Sequence, residues 1–178
     1  MTIRLLADKK IVLGVTGSIA CYKAAELASR LTQAGAKVDV ILTESARRFV
    51  LPITFESLTG RKVHVDMWEM QEHVGHVQLG EAADLLVVAP ATAHTMAKMA
   101  QGMADNLLTV TALAARCPVL IAPAMDGGMY EHPATQANIE ILKERGATFA
   151  GPGVGRMASG LAGAGRLLEP AELAGHIM

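Results

Sequence analysis

The residues most clearly spaced for chemistry stand near the start of the chain. The stretch IVLGVTGSIACYKAAEL runs from an apolar segment through a glycine-containing turn into a helical pattern. Gly17, Ser18 and Ile19 fall at that turn, and Ser18 is placed to cap the helix. A helix start with free N–H groups attracts a phosphate, although a tight turn that merely begins a helix has the same pattern. The turn is not G-x-G-x-x-G, so the dinucleotide fingerprint is absent, and it is not G-x-x-x-x-G-K-[ST], so there is no triphosphate cradle. The segment ILTESA adds Thr43, Glu44 and Ser45 at the end of the next apolar run. Glu44 has the chemistry to bind a ribose diol, but an exposed acid at a helix start is common in any case. Together these features suit a mononucleotide such as FMN better than NAD.

The elements that must position these residues follow from periodicity. Apolar runs occur at IVLGV (11–15), KVDVIL (37–42), DLLVVAP (84–90), CPVLIAP (117–123) and ATFAG (147–151). Nearly continuous aliphatic runs suit strands covered on both faces. Between the first two runs, Ile19, Lys23, Leu27, Leu31 and Ala34 share one helical stripe, and Gly35 ends it. Thr92–Ala100, Asn106–Ala115 and Pro133–Arg145 also read as helices, the last opened by Pro133 and stopped by Gly146. Alternating strands and helices predict an α/β fold, a Rossmann-like three-layer sandwich around a parallel sheet, in a single domain covering 1–178. The segment GPGVGRMASGLAGAGR (151–166) reads as a mobile loop or flap.

Composition excludes several classes. The chain has 178 residues, 51% of them hydrophobic and 19% charged, with a net charge of −1. Disorder is excluded by that apolar content. Without a basic stripe there is no electrostatic footprint for nucleic acid, and six aromatic residues are too few for a base-stacking platform. Cys21 and Cys117 form neither a metal spacing nor a disulfide framework, so no metal site is expected and a reduced, cytoplasmic setting is the simplest reading. Charged residues interrupt the N-terminal apolar stretch, and no run approaches the ~18 apolar residues of a membrane span. The aliphatic excess points to surface buried between subunits.

Four segments, GVTGSIACYKAAEL (14–27), GHVQL (75–79), APATAHTMAKMAQGMADNLL (89–108) and APAMDGGMYEHPATQAN (122–138), resemble the homo-oligomeric flavin-containing cysteine decarboxylases. Within that family they are most similar to the branch acting on 4'-phosphopantothenoylcysteine. The resemblance implies bound FMN, trimers that assemble into dodecamers, and release of 4'-phosphopantetheine for coenzyme A. It implies oxidation of the cysteine side chain to a thioaldehyde, loss of carbon dioxide, and reduction of the resulting enethiol. By motif, His76 in GHVQL matches the family's base, and histidine titrates near the pH at which a thiol must lose its proton. PATAHT matches a flavin motif and places Thr92, Ala93, His94 and Thr95 at the cofactor, with His94 standing for the usual Asn. The resemblance adds Gly17, Ser18, Ile19, Thr43, Ser45 and Ala124 to the flavin site. Asp126, Met129 and Arg166 are assigned to the substrate, and Arg156 or Arg166 to its phosphate. The chain stops at AELAGHIM, where relatives continue into a cysteine ligase domain, so a fused or partner ligase is expected.

Two further positions depart from the pattern. Asp126 stands where the family has an Asn that grips the substrate carboxylate, and an ionised acid would repel that group. Asp126 is then either protonated or paired with Arg156 or Arg166, unless the N–H groups of Gly127 and Gly128 take over. Ser159 stands where the family has a proton-donating Cys, and a hydroxyl is a far weaker acid than a thiol. The departures leave room for an oxidative decarboxylase of a peptide C-terminal cysteine, which ends at the enethiol, and for a non-catalytic flavin-binding regulatory protein. A flavin prenyltransferase of similar fold fits the motifs less well.

Overall fold

The computed structural model describes residues 5–68 and 75–178. Along the chain, β1 (Lys10–Val15), α1 (Cys21–Gln33), β2 (Lys37–Leu42), α2 (Pro52–Thr59) and α3 (Gly75–Ala82) lead into β3 (Leu85–Ala91). Then come α4 (Ala93–Gln101), α5 (Leu107–Ala114), β4 (Val119–Pro123), α6 (Gly127–Glu131), α7 (Pro133–Glu144) and β5 (Thr148–Phe149). A hairpin, β6 (Gly153–Arg156) with β7 (Ala162–Arg166), precedes the last helix, α8 (Pro170–Ile177).

Five strands form one parallel sheet in the order β2-β1-β3-β4-β5. This is the Rossmann-like three-layer arrangement expected. Its strand order is the doubly wound 2-1-3-4-5, whose ligand crevice opens where the chain departs to either side, at the ends of β1 and β3. The strands are buried on both faces. Leu13, Val15, Val40, Val87 and Ala122 meet α1 and α8 on one side, while Val12, Ile41, Val88 and Ile121 meet α4, α5 and α7 on the other. In α1, Leu27 and Leu31 are fully buried, each contributing about 1.5–3 kcal/mol by its removal from water. Gly35, at φ 100°, takes the left-handed turn that ends this helix. At Gly14 a side chain would collide with Leu108, so the bare backbone of β1 lets α5 settle onto the sheet.

The structure corrects three local expectations. Helix α1 begins at Cys21 behind Ala20, not directly behind Ser18. Ser18 instead caps the preceding turn: its Oγ accepts from the Ala20 N–H at 3.2 Å and its carbonyl from the Cys21 N–H at 3.0 Å. Helix α5 begins at Leu107, and Asn106, read as its first residue, caps it instead, in a reciprocal arrangement with Thr109. Finally, the glycine-rich segment forms an antiparallel hairpin, with Arg156 opposite Ala162, where the sequence reads as a loop.

Candidate active site

The first cleft lies at the carboxyl ends of the strands and measures about 610 Å³, within the roughly 300–1,000 Å³ of small-molecule sites. The turn after β1 supplies Gly17 and Ser18, the turn after β2 supplies Thr43, Glu44 and Ser45, and the start of α4 supplies Thr92, Ala93, His94 and Thr95. Ala124, Met125 and Met129 line the side nearest β4. Gly17 is required by this closure, because a Cβ there would stand 2.5 Å from the Cβ of Ser45.

One side chain that sequence reasoning missed fastens the crevice. Thr16 is 1% exposed. Its hydroxyl donates to the Pro90 carbonyl at 2.6 Å and accepts from the Thr92 N–H at 3.0 Å. The turn after β1 is thereby locked to the turn after β3. Thr92 then caps α4, accepting from the Thr95 N–H at 3.3 Å. Lys98 and Asp105 also line the cleft, as an ion pair at 2.6 Å; the lysine holds the Asp105 carboxyl below the usual carboxylate range. His94 is exposed at the rim.

A second cleft of about 470 Å³ adjoins the first. Ser18, Ala124 and Met125 line both. Ile19, Tyr22 and Lys23 form its wall from the α1 side, and Arg156, Ser159 and Arg166 of the hairpin form the other, with Asp126 at the start of α6. Ile19 faces this cleft and Met129 the first. The hairpin is fastened to the turn after β4: the Met125 N–H donates to the Gly165 carbonyl at 2.9 Å and the Gly127 N–H to Met157 Sδ at 3.0 Å. Neither cysteine lines this cleft. Cys21 is buried, which pushes its thiol up, and it donates to the Thr16 carbonyl at 3.1 Å.

Asp126 is held by its neighbours rather than by an arginine. It is not paired with Arg156 or Arg166 among the described residues. The Ser159 hydroxyl donates to its Oδ2 at 2.5 Å and the Gly128 N–H to its Oδ1 at 3.1 Å. Ser159 first, and then Gly128, hold the Asp126 carboxyl below the usual carboxylate range, so it is ionised, not protonated.

His76 is not brought to either cleft. It sits half-buried near the start of α3. Gly80 of that helix meets the backbone of α5, where a Cβ would stand 2.9 Å from the Thr111 carbonyl oxygen.

A family model for flavoproteins matches residues 3–177. The chain belongs to the flavoprotein family. Among curated relatives, the coenzyme A biosynthesis bifunctional protein CoaBC of Bacillus subtilis (strain 168) is 48% identical over 168 residues, covering 93% of this chain and 41% of that one. CoaBC of Mycobacterium tuberculosis (strain H37Rv) is 51% identical over 165 residues, covering 93% and 40%. This flavoprotein thus spans well under half the length of those relatives. Among solved structures, a cysteine-to-serine mutant of PPC decarboxylase complexed with pantothenoylaminoethenethiol superposes with a TM-score of 0.85 at 31% identity, covering 96% of both chains. The FMN-dependent cysteine decarboxylase SpaF gives 0.79 at 35% identity, covering 95% and 96%. Among the described residues no helix is long and apolar enough to cross a membrane, and no cluster of three or more His, Cys, Asp or Glu side chains forms a metal site.

Proposed function

We propose that this flavoprotein is an FMN-dependent decarboxylase of 4'-phosphopantothenoylcysteine, acting in coenzyme A biosynthesis in the cytoplasm. One observation carries the reading: two clefts of small-molecule size share Ser18, Ala124 and Met125 as a common wall, so a ligand in one would touch a ligand in the other. The identities with CoaBC proteins and the likeness to PPC decarboxylase support the substrate.

The first cleft fits FMN. Gly17 admits the close approach of two loops, and the turn after β1 brings the Gly17 and Ser18 backbone to the cleft for a phosphate. Hydroxyls of Thr43, Ser45 and Thr92, with Ala93, His94, Thr95 and Ala124, would hold the remainder. When bound, FMN supplies a two-electron acceptor for the thiol-bearing carbon of the substrate. The second cleft orients the cysteine end against the shared wall, between Ile19 and the hairpin, and excludes water there. His76 takes the thiol proton. Because His76 lines neither cleft of its own chain, a second copy would deliver it, as a trimer or a dodecamer of trimers. Support comes from α5 and its surroundings, where Leu113 is 64% and Met103 50% exposed. A cysteine ligase domain, fused or separate, would supply the substrate.

A second reading concerns where the reaction ends. Ser159 is committed to Asp126 and is a poor acid, and a cysteine-to-serine mutant of PPC decarboxylase holds pantothenoylaminoethenethiol. Both favour a product that stops at the enethiol, the behaviour also expected of an enzyme acting on a peptide C-terminal cysteine.

The test is reconstitution with FMN followed by assay with 4'-phosphopantothenoylcysteine. Yellow protein that releases carbon dioxide supports the reading. Yellow protein without release overturns it in favour of a flavin-binding protein without this chemistry.

A further inference from the structure

Among the described residues three cations line the second cleft, Lys23, Arg156 and Arg166. Two of them share one acid. Lys23 Nζ donates to Glu169 Oε1 at 2.7 Å and to the Leu167 carbonyl at 3.1 Å, and the lysine side chain is only 7% exposed. Arg166 Nη2 reaches the same Glu169 oxygen at 3.1 Å. Arg166 also lies across Gly155 of β6, where a Cβ would stand 2.8 Å from its Nη1. Lys23, before Arg166, holds the Glu169 carboxyl below the usual range. The Arg156 side chain has no hydrogen bond or ion pair with any described residue.

Asp126, the acid that lines this cleft, is equally committed. Both oxygens of Asp126 accept, one from Ser159 and one from Gly128. An ionised carboxylate in that state offers no donor to a second carboxylate and opposes its charge. Position 126 therefore cannot do what an amide at the same place would do. With Glu169 offset by Lys23 and Arg166, Arg156 is the uncommitted cation of the cleft among the described residues. It stands on the same hairpin as Ser159, three residues earlier, in register with Ala162 of β7. The bond that fastens Ser159 to α6 therefore also fixes the strand that carries Arg156.

We propose that the closed pair Asp126–Ser159 takes position 126 out of substrate binding, and that Arg156 binds the substrate's carboxylate in its place. The assignment rests on the reading of this cleft as the substrate site of a cysteine decarboxylase. A guanidinium grips a carboxylate through two parallel N–H donors, so Arg156 is a specificity-determining residue. Ser159 and Asp126 are positioning residues that act through it.

The experiment compares two ligands that differ in the carboxylate, titrated calorimetrically into FMN-loaded protein. One is 4'-phosphopantothenoylserine, which keeps carboxylate and phosphate but has no thiol to oxidise; the other is 4'-phosphopantetheine, which lacks the carboxylate. Arg156→Gln is expected to weaken the first by about tenfold or more and to leave the second and the flavin absorbance unchanged. Arg156→Lys restores part of the loss. Ser159→Ala is expected to weaken the carboxylate ligand as well and to speed tryptic cleavage of the hairpin, and Ser159→Thr, which keeps the hydroxyl, to reverse both. Equal weakening of both ligands by Arg156→Gln would assign the arginine to the phosphate and overturn the proposal, and so would no weakening of either. If the wild-type protein binds neither ligand, the decarboxylase reading fails and takes the assignment with it.

Discussion

The Ser159 hydroxyl meets Asp126 Oδ2 at 2.5 Å across 33 residues of chain. Two of the positions that depart from the decarboxylase pattern are thus one contact, an acceptor matched to a donor. A thiol is a weak donor and an acid with a pKa near 8.5, so Ser159→Cys is expected to loosen this contact and to provide the missing proton. Wild-type protein with 4'-phosphopantothenoylcysteine is expected to accumulate the enethiol, and Ser159→Cys a product two hydrogens heavier, as read by mass spectrometry. Identical products from both would show that residue 159 does not set the end of the reaction.

The same contact sets a pH dependence. Ser159 and Gly128 favour the ionised form of Asp126, so its folded pKa lies below the ordinary 3.8. A depressed carboxyl pKa contributes stability that is complete at neutral pH and is lost as pH falls through the folded value. Carboxyl-carbon NMR is expected to place the Asp126 midpoint below 3.8 and to move it upward in Ser159→Ala. A midpoint unmoved by that substitution would remove the hydroxyl as the cause.

Much of this architecture was legible in local sequence. The run KVDVIL forms a strand over the residues expected, 37–42, because its alternation and its flanks are local properties. Pro133 and Gly146 bound α7 for the same reason. What could not be read depends on distant partners. Thr16 looks like any turn threonine, and its two hydrogen-bond partners lie 74 and 76 residues away. The glycine-rich segment pairs with itself as β6 and β7, although its pattern carries no alternation to announce strands. The motif around His76 was recognisable, yet nothing local could tell that α3 would carry it away from both clefts of its own chain.

The lock at Thr16 has a measurable cost. Thr16→Val keeps the shape but leaves the part-buried Thr92 N–H without its partner, and the Pro90 carbonyl with only the Thr16 N–H at 3.3 Å. An orphaned group costs about 1–3 kcal/mol, so a loss of about 2 kcal/mol is expected. For a chain of this size that lowers the Tm by roughly 4–8 °C. Thr16→Ser, which keeps the hydroxyl, is expected to lose less. A Thr16→Val Tm equal to wild type would show that water satisfies the Thr92 N–H.

Gly17 tests the cofactor cleft by itself. A methyl group at this position meets Ser45 at 2.5 Å and the Ser45 carbonyl carbon at 3.1 Å, so the loops after β1 and β2 must part. Gly17→Ala is expected to fold, since the strain lies at the rim of the sheet, but to purify with little flavin absorbance. Full retention of bound FMN would mean that the two loops do not frame the cofactor.

The position of His76 permits a test of the assembled site. If His76 serves a neighbouring chain, two different defects can complement each other. His76→Asn chains keep an intact flavin cleft, and Gly17→Ala chains keep an intact histidine. Each variant alone is expected to be inactive. Mixed in equal amounts and assembled at random in a closed ring, about a quarter of the sites pair an intact cleft with an intact neighbouring histidine, and carbon dioxide release should recover to that fraction. Native mass spectrometry confirms that the chains have mixed. Mixed oligomers without recovered activity would mean that His76 acts within its own chain, after a rearrangement that carries α3 toward the cleft.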